Sequence, residues 1–454
     1  MDPHTSFAGY RQKSFHLISL GCPRNLVDSE VMLGILLKKG YVVAENPEEA
    51  DYIIVNSCGF LQSAREESLS TIGRVMRQKR TGAKVVVAGC MVKMHQMILK
   101  KHFPHIDYFL GPGDVEKILQ LIEMKEQGTV ITSARSYLEA GEVPRQLATP
   151  SHYAYLKVAE GCRKRCSYCI IPKIKGTLRS KPLERIVKEF RLLREQGVKE
   201  VILIAQDLGD WGKDLGYTRS DGLVVLLQTL LQEKGAFWLR LLYLYPDDLS
   251  PRIMQLMQQD PRLCPYLDMP IQHVNDEILR SMHRATSKEK IVEILLSLRT
   301  LVPEVSVRTS LIVGFPGETQ KQFDELREFL QEHPIDQVGI FQFSPEPGSV
   351  AAALPRQISE QVKQRRMRLL AQTQQKVLKR ELPKYLGKVL QVLVEGYHPD
   401  SPLLMRGRHR GQCPEIDSQV IINDGRLVGC FGEWYSVKIT EVAGYDLVGQ
   451  VCAH

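Results

Sequence analysis

Three short apolar runs open the chain, each rich in β-branched residues and each ending in cysteine: FHLISLGC (15–22), DYIIVNSC (51–58) and KVVVAGC (84–90). Segments with helical spacing follow at about 26–37, 61–79 and 91–102. Strand then helix, three times over, predicts a parallel α/β sheet. It also predicts that Cys22, Cys58 and Cys90 share the carboxyl edge of that sheet, where open α/β folds bind ligands. Polar, Pro-containing sequence at 134–151 reads as a linker. A second series begins with YAYLKVAEGC (153–162) and continues through VILIAQD (201–207), WLRLLYLYP (238–246), YLDMPIQ (266–272), VRTSLIVGFPGE (307–318) and VGIFQFSP (338–345). Amphipathic helical stretches separate these runs, so six β/α units form a full or partial barrel with function at the strand ends. After 384, short β-rich runs alternate with Gly and Asp turns, which predicts a small β-barrel. The fold class is therefore α/β, divided into 1–145, 146–383 and 384–454.

Composition agrees with a soluble globular protein: 43% apolar, 25% charged and 7% aromatic over 454 residues. No apolar run approaches the ~20 residues that span a bilayer. The first residues lack the order of a secretory signal, so the expected location is the cytoplasm, with no membrane partner. In that setting ten cysteines favour metal binding or catalysis over disulfides. The formal charge of +8 is concentrated in residues 360–388, with nine Lys/Arg against two Glu. Such a stretch suits contact with nucleic acid or a solvated linker helix.

AEGCRKRCSYCIIP (159–172) places three cysteines at Cys-x3-Cys-x2-Cys. Three thiolates can hold three irons of a four-iron cluster and leave the fourth open, with Arg163, Lys164 and Arg165 offsetting the negative charge. The alternatives are a zinc site with a distant fourth ligand, although no fourth Cys or His lies at zinc-finger spacing, and three unrelated core cysteines, although this spacing is rare by chance in a chain with ten cysteines. Following the first strand of a six-unit series, this motif resembles the radical S-adenosylmethionine superfamily. The resemblance assigns Cys162, Cys166 and Cys169 to a 4Fe-4S cluster and Tyr168 to contact with adenine. It assigns Gly314 and Gly317 of VGFPGE (313–318) to the glycine-rich loop beneath the adenine. Candidates for polar contacts to cofactor or substrate are Gln206, Asp207, Gln272, His273 and Arg308, with Glu160 serving the loop locally. Arg308, if inward, needs a carboxylate partner from the cofactor or the substrate.

The whole chain resembles the methylthiotransferases, which combine a three-cysteine domain, a radical S-adenosylmethionine barrel and a TRAM domain. The stretches that carry this are SLGCPRNLVDSE (19–30), VNSCGF (55–60), VAGCM (87–91), RLLYLYP (240–246) and MPIQHVNDEILRSMHR (269–284). The resemblance implies a second 4Fe-4S cluster on Cys22, Cys58 and Cys90. It implies S-adenosylmethionine as both radical source and methyl donor, with an external electron donor and sulfur source. Two branches compete. GCPRN and GQCPEIDSQVII (411–422) resemble the branch acting on the β-carbon of an aspartate in small ribosomal subunit protein 12, free or on the ribosomal subunit. The alternative branch modifies tRNA adenosine, and a different class would be an iron–sulfur carrier or ribosome-binding module. The C-terminal segment 389–454 is net −3, with five Lys/Arg against eight Asp/Glu, which suits a basic protein partner better than RNA. Arg406, Arg408, His409 and Arg410 nevertheless form a basic run offering RNA contact.

Overall fold

The computed structural model describes residues 12–124, 126–132, 136–139, 141–218 and 221–453. Residues 1–11, and positions 134, 135 and 140 of the expected linker, lie outside the described residues. The chain divides into two compact units, Met1–Ala148 with Lys173–Gly176, and Thr149–Pro172 with Thr177–His454.

The first unit holds strands β1 (Ser14–Ser19), β2 (Val42–Val43), β3 (Tyr52–Ser57), β4 (Lys84–Gly89), β5 (Tyr108–Leu110) and β6 (Gly128–Val130). They form one parallel sheet in the order β2-β1-β3-β4-β5-β6. Helices α1 (Pro23–Lys38), α2 (Gln62–Gln78), α3 (Cys90–His102) and α4 (Ile118–Ile122) connect the strands. Every residue of β3 is buried, as expected for a parallel strand covered on both faces. Alternation sorts the side chains into two cores. Ile54 and Val86 join Met32 and Leu36, while Ile53, Val55, Val85 and Val87 join Ile72 and Val92.

Barrel strands of the second unit are β7 (Tyr153–Lys157), β10 (Glu200–Ile204), β11 (Trp238–Leu241), β12 (Leu263–Asp268), β13 (Ser306–Val313) and β14 (Gln337–Gln342). A short pair, β8 (Ala159–Glu160) and β9 (Arg179–Ser180), flanks α5 (Ile171–Lys175). The six long strands are parallel and ordered β14-β13-β12-β11-β10-β7, an open partial barrel. Helices α6 (Leu183–Glu195), α7 (Asp221–Leu231), α8 (Pro251–Gln259), α9 (Asp276–Ser281), α10 (Lys288–Leu301) and α11 (Gln320–Glu332) follow in chain order. The long helix α12 (Glu360–Glu381) leads to β15 (Val389–His398), β16 (Ser401–His409), β17 (Val420–Asp424), β18 (Glu433–Ala443) and β19 (Asp446–Val451), which close a five-stranded barrel.

The small barrel docks beneath the large one, at the starts of its strands. Arg408 binds Glu200 at the first position of β10 and Glu395 of β15, each at 2.7 Å, and His152 reaches Glu395 at 3.1 Å. The β16–β17 connection places Glu415 2.8 Å from the Tyr153 hydroxyl and Asp417 2.7 Å from the Tyr266 hydroxyl. The basic run expected at 406–410 is thereby corrected. Residues to His409 belong to strand β16, Arg408 is buried against two carboxylates, and Arg410 donates to the Leu263 carbonyl. A buried cation needs a buried anion, and Glu200 and Glu395 supply it; only Arg406 of this run is exposed.

Candidate functional site

Cys22 directly precedes α1, Cys58 follows β3, and Cys90 opens α3 at the end of β4. All three therefore stand at the carboxyl edge. Gly21 has φ +89°, and a Cβ there would lie 2.8 Å from the Cys58 Cβ and 3.0 Å from its Sγ. A Cβ on Gly59 would meet Met91 Cα at 2.8 Å. The three turns interlock so closely that glycine is required at the contacts.

Buried amides hold these turns in register. Asn25 donates to the carbonyls of Leu20 (2.6 Å) and Asn56 (3.2 Å), and Asn56 donates back to the Asn25 carbonyl and Ser29 Oγ, both at 2.8 Å. Ser68 accepts from the Cys58 amide and donates to the Cys58 carbonyl. Glu30 ties the following segment to α1 through Arg145 (2.6 Å) and the Ala148 amide (2.8 Å). The motif residues around Cys22 and Cys58 are thus largely the scaffold of the thiols. Those thiols are unequal. Burial opposes ionisation of Cys22, but Arg24 and the Asn25 amide outweigh it and bring the thiol below its ordinary value. Burial raises Cys58 and pushes Cys90 up to about 12.

The other triad lies in the loop after β8. Gly161 turns the chain at φ +79°. The Lys164 amide donates to Cys162 Sγ and the Ile171 amide to Cys169 Sγ, both at 3.4 Å, contacts that favour bound thiolates. Ser167 fixes the loop through its amide to the Met282 carbonyl (3.0 Å) and its hydroxyl to the Ser281 carbonyl (2.7 Å). The Tyr168 ring packs on the cluster of Met282, Phe315 and Phe343, and Arg284 donates to its hydroxyl at 3.3 Å. Burial pushes the Cys162 thiol up to about 12, against the lowering effect of the Lys164 amide.

Among the described residues, the trio of His, Cys, Asp or Glu with ligand atoms all within 4.8 Å is Asp207, Asp210 and Asp248, and it contains no cysteine. The three aspartates of the trio share two lysines. Lys164 lies 2.6 Å from Asp248, 3.4 Å from Asp207 and 3.7 Å from Asp210, and Lys213 lies 3.2 Å from Asp248. This corrects the expected role of Lys164 as an offset to cluster charge: its ammonium is engaged by strand-end carboxylates instead.

Other candidates occupy distinct positions. Both polar atoms of the Gln206 carboxamide are buried without a hydrogen-bond partner, the signature of a side chain aimed at a ligand. Gln272 has φ +69° and bridges to β13 through its backbone. Gly314 (φ +75°) and Gly317 (φ +82°) shape the loop after β13. Glu318 accepts from the Gly314 amide and pairs with Arg366 at 3.0 Å, with His273 3.5 Å away. Glu160 pairs with Lys157 at 3.3 Å. Arg308 is held between Asp268 (3.4 Å) and Asp417 (3.3 Å), so protein carboxylates neutralise it.

Sequence reasoning missed Tyr245 and Arg284 as a pair. The Arg284 guanidinium stacks 4.0 Å from the Tyr245 ring centre, and Lys164 lies 4.5 Å from the same ring. Both residues lie in the motifs RLLYLYP and MPIQHVNDEILRSMHR, but beyond the strands, where alternation carries no information.

Models of three families match the chain: the uncharacterized protein family UPF0004 over residues 14–111, the radical SAM superfamily over 156–330 and the TRAM domain over 386–452. A solved radical S-adenosylmethionine methyltransferase, TsrM from Kitasatospora setae, shares the fold with a TM-score of 0.54 at 14% identity, covering 73% of this chain and 72% of that one. Curated relatives named ribosomal protein uS12 methylthiotransferase RimO are far more similar. That of Protochlamydia amoebophila is 62% identical, covering 96% of this chain and 92% of its own. That of Chlamydia abortus is 54% identical over 98% and 97%, and that of Bdellovibrio bacteriovorus 41% over 97% and 98%. With the cysteine triads, the partial barrel and the closed C-terminal barrel in the same order, this chain belongs to the RimO family of ribosomal protein uS12 methylthiotransferases.

Proposed function

We propose that this chain methylthiolates ribosomal protein uS12 at the β-carbon of an aspartate, replacing C–H by C–S–CH3. The observation that carries the reading is the presence of two separate cysteine triads, one per compact unit, in a member of the RimO family. Cys162, Cys166 and Cys169 would hold one 4Fe-4S cluster, and Cys22, Cys58 and Cys90 another. When bound, an open-iron cluster supplies the electron that cleaves S-adenosylmethionine, the chemistry of the superfamily. The protein's part is positional. Tyr168, Gln206, Gln272, Gly314 and Gly317 are proposed to hold S-adenosylmethionine. Arg308 is proposed to support the inside of the barrel, because Asp268 and Asp417 already neutralise it.

An external electron donor and a sulfur source are required for the balance of the reaction. The reading places the enzyme in the cytoplasm, acting on uS12 near or on the small ribosomal subunit; among the described residues no helix is long and apolar enough to cross a membrane. Anaerobic reconstitution with iron, sulfide, dithionite and S-adenosylmethionine, followed by incubation with a uS12 peptide or with hypomodified tRNA, tests the assignment. Methylthio product on the peptide is expected. Product on tRNA alone would move the chain to the adenosine branch, and absence of 5′-deoxyadenosine would favour a carrier.

A further inference from the structure

Helix α12 carries seven Lys/Arg and no Asp/Glu between positions 361 and 380. Two of the seven are structural. Lys363 donates to the Phe343 carbonyl at 2.9 Å, and Arg366 binds Glu318 at 3.0 Å beneath the glycine-rich loop. Together with buried Leu370, Val377 and Leu378, and with Gln374 donating to the Ile335 carbonyl, they fix the rotation of the helix. That rotation turns Arg365, Arg368, Lys376, Lys379 and Arg380 to solvent, interspersed with exposed Gln364, Gln372 and Gln375.

Ordinary solvated helices interleave acids with bases, and pairs three or four residues apart stabilise them by about 0.2–0.5 kcal/mol each. This chain does so elsewhere: Lys290 pairs with Glu293 on α10, and Arg327 with Asp324 on α11. On α12 the acids stand only at the two ends, where Glu360 pairs with Lys363 and Glu381 with Arg380 at 2.9 Å; between them Arg365, Lys376 and Lys379 form no ion pair among the described residues. From Arg365 to Lys379 the helical rise gives about 21 Å of cationic surface, enough to follow several phosphates of a folded strand. On the small barrel Arg408 and Arg410 are used internally and Arg426 pairs with Asp424 at 2.7 Å, which leaves Arg406 and Lys438 as exposed cations of its strands without an ion pair among the described residues.

We infer that the outward face of α12 binds the phosphate backbone of RNA, without reading its sequence. This goes beyond the proposed reaction: it concerns how the enzyme is held, and requires neither iron–sulfur cluster. Fluorescence anisotropy with a labelled RNA hairpin over a salt series tests it on the full chain. The variant Arg365→Gln/Arg368→Gln/Lys376→Gln/Lys379→Gln changes only exposed side chains. It should bind at least about tenfold more weakly at low salt, with the slope of log K against log salt reduced by about 3. Arg406→Gln/Lys438→Gln, on the small barrel, should leave both quantities unchanged, and methylthiolation of an isolated uS12 peptide should be the same in all forms. Equal RNA binding by the quadruple variant would overturn the inference. So would loss of binding in the small-barrel variant alone, or tighter binding to anionic phospholipid vesicles than to the hairpin.

Discussion

Lys164 Nζ lies 2.6 Å from Asp248 Oδ2, which ties the cysteine loop to the turn that follows β11. Asp248 is buried, and Lys164 is also within reach of Asp207 and Asp210. The loop is therefore anchored on one side by Lys164 and on the other by the contact of Tyr168 with Arg284. The Tyr245 ring contacts both cations, Lys164 at 4.5 Å and Arg284 at 4.0 Å from its centre.

Replacing Lys164 by Met leaves three buried carboxylates with Lys213 alone and releases one anchor. Loss of such a supporting contact typically costs about 10–100-fold in affinity or activity at a metal site. The variant should lose iron faster on gel filtration and show an altered spin-resonance spectrum after reduction, and Lys164→Arg should recover part of both. Unchanged iron retention in Lys164→Met would show that the anchor does not support the cluster loop.

Gly21 makes a separate prediction for the N-terminal unit. Alanine there meets both a left-handed backbone angle and the Cys58 side chain at 2.8 Å. Gly40, at φ +92° with nothing within 4 Å, isolates the backbone penalty, which is about 1–2 kcal/mol. In a background carrying Cys162→Ala, Cys166→Ala and Cys169→Ala, Gly21→Ala should bind little iron while Gly40→Ala retains it. Equal iron in the two would remove the steric reading of that turn.

The barrel-to-barrel contact should loosen in acid. Burial lowers His409 to about 3, helped by Arg240 and Arg408; Glu395 lies at about 2, because Arg408 outweighs the burial that opposes its charge. Both values are depressed, so both groups stabilise the fold fully above their unfolded values, about 6.5 and 4.3. That stability is lost as pH falls through the folded values. Asp268, raised by burial to about 6, has the opposite sign and loses its contribution as pH rises from about 3.9 through 6. A His409→Gln variant should therefore show a smaller fall in thermal midpoint between pH 6.5 and 5 than the parent chain. An equal fall would exclude His409 as a source of the acid sensitivity.

Much of this organisation is legible in the sequence because parallel strands buried on both faces read as apolar runs. Strands β1, β3 and β4 and five strands of the large barrel coincide with such runs, whereas β12 begins at Leu263, three residues before the expected run at 266–272. The short strands Val42–Val43, Tyr108–Leu110 and Gly128–Val130 do not stand out, since two or three residues give no period. Strand β16 was hidden for another reason. Arg406, Arg408, His409 and Arg410 read as a basic loop, yet Arg408 points inward because Glu200, 208 residues earlier, is buried opposite it. Likewise the carboxylates that hold Arg308 come from Asp268 and Asp417, 40 and 109 positions away, and no local pattern announces them. Long-range charge pairing is the part of the site that spacing cannot reveal.

The central claim is a division of labour between the two cysteine triads. Its most direct test is one anaerobic assay reading 5′-deoxyadenosine and the mass of a uS12 peptide together. Cys162→Ala/Cys166→Ala/Cys169→Ala should abolish both signals. Cys22→Ala/Cys58→Ala/Cys90→Ala should still release 5′-deoxyadenosine but leave the peptide without its methylthio group. Methylthiolated peptide from the second variant would contradict the account.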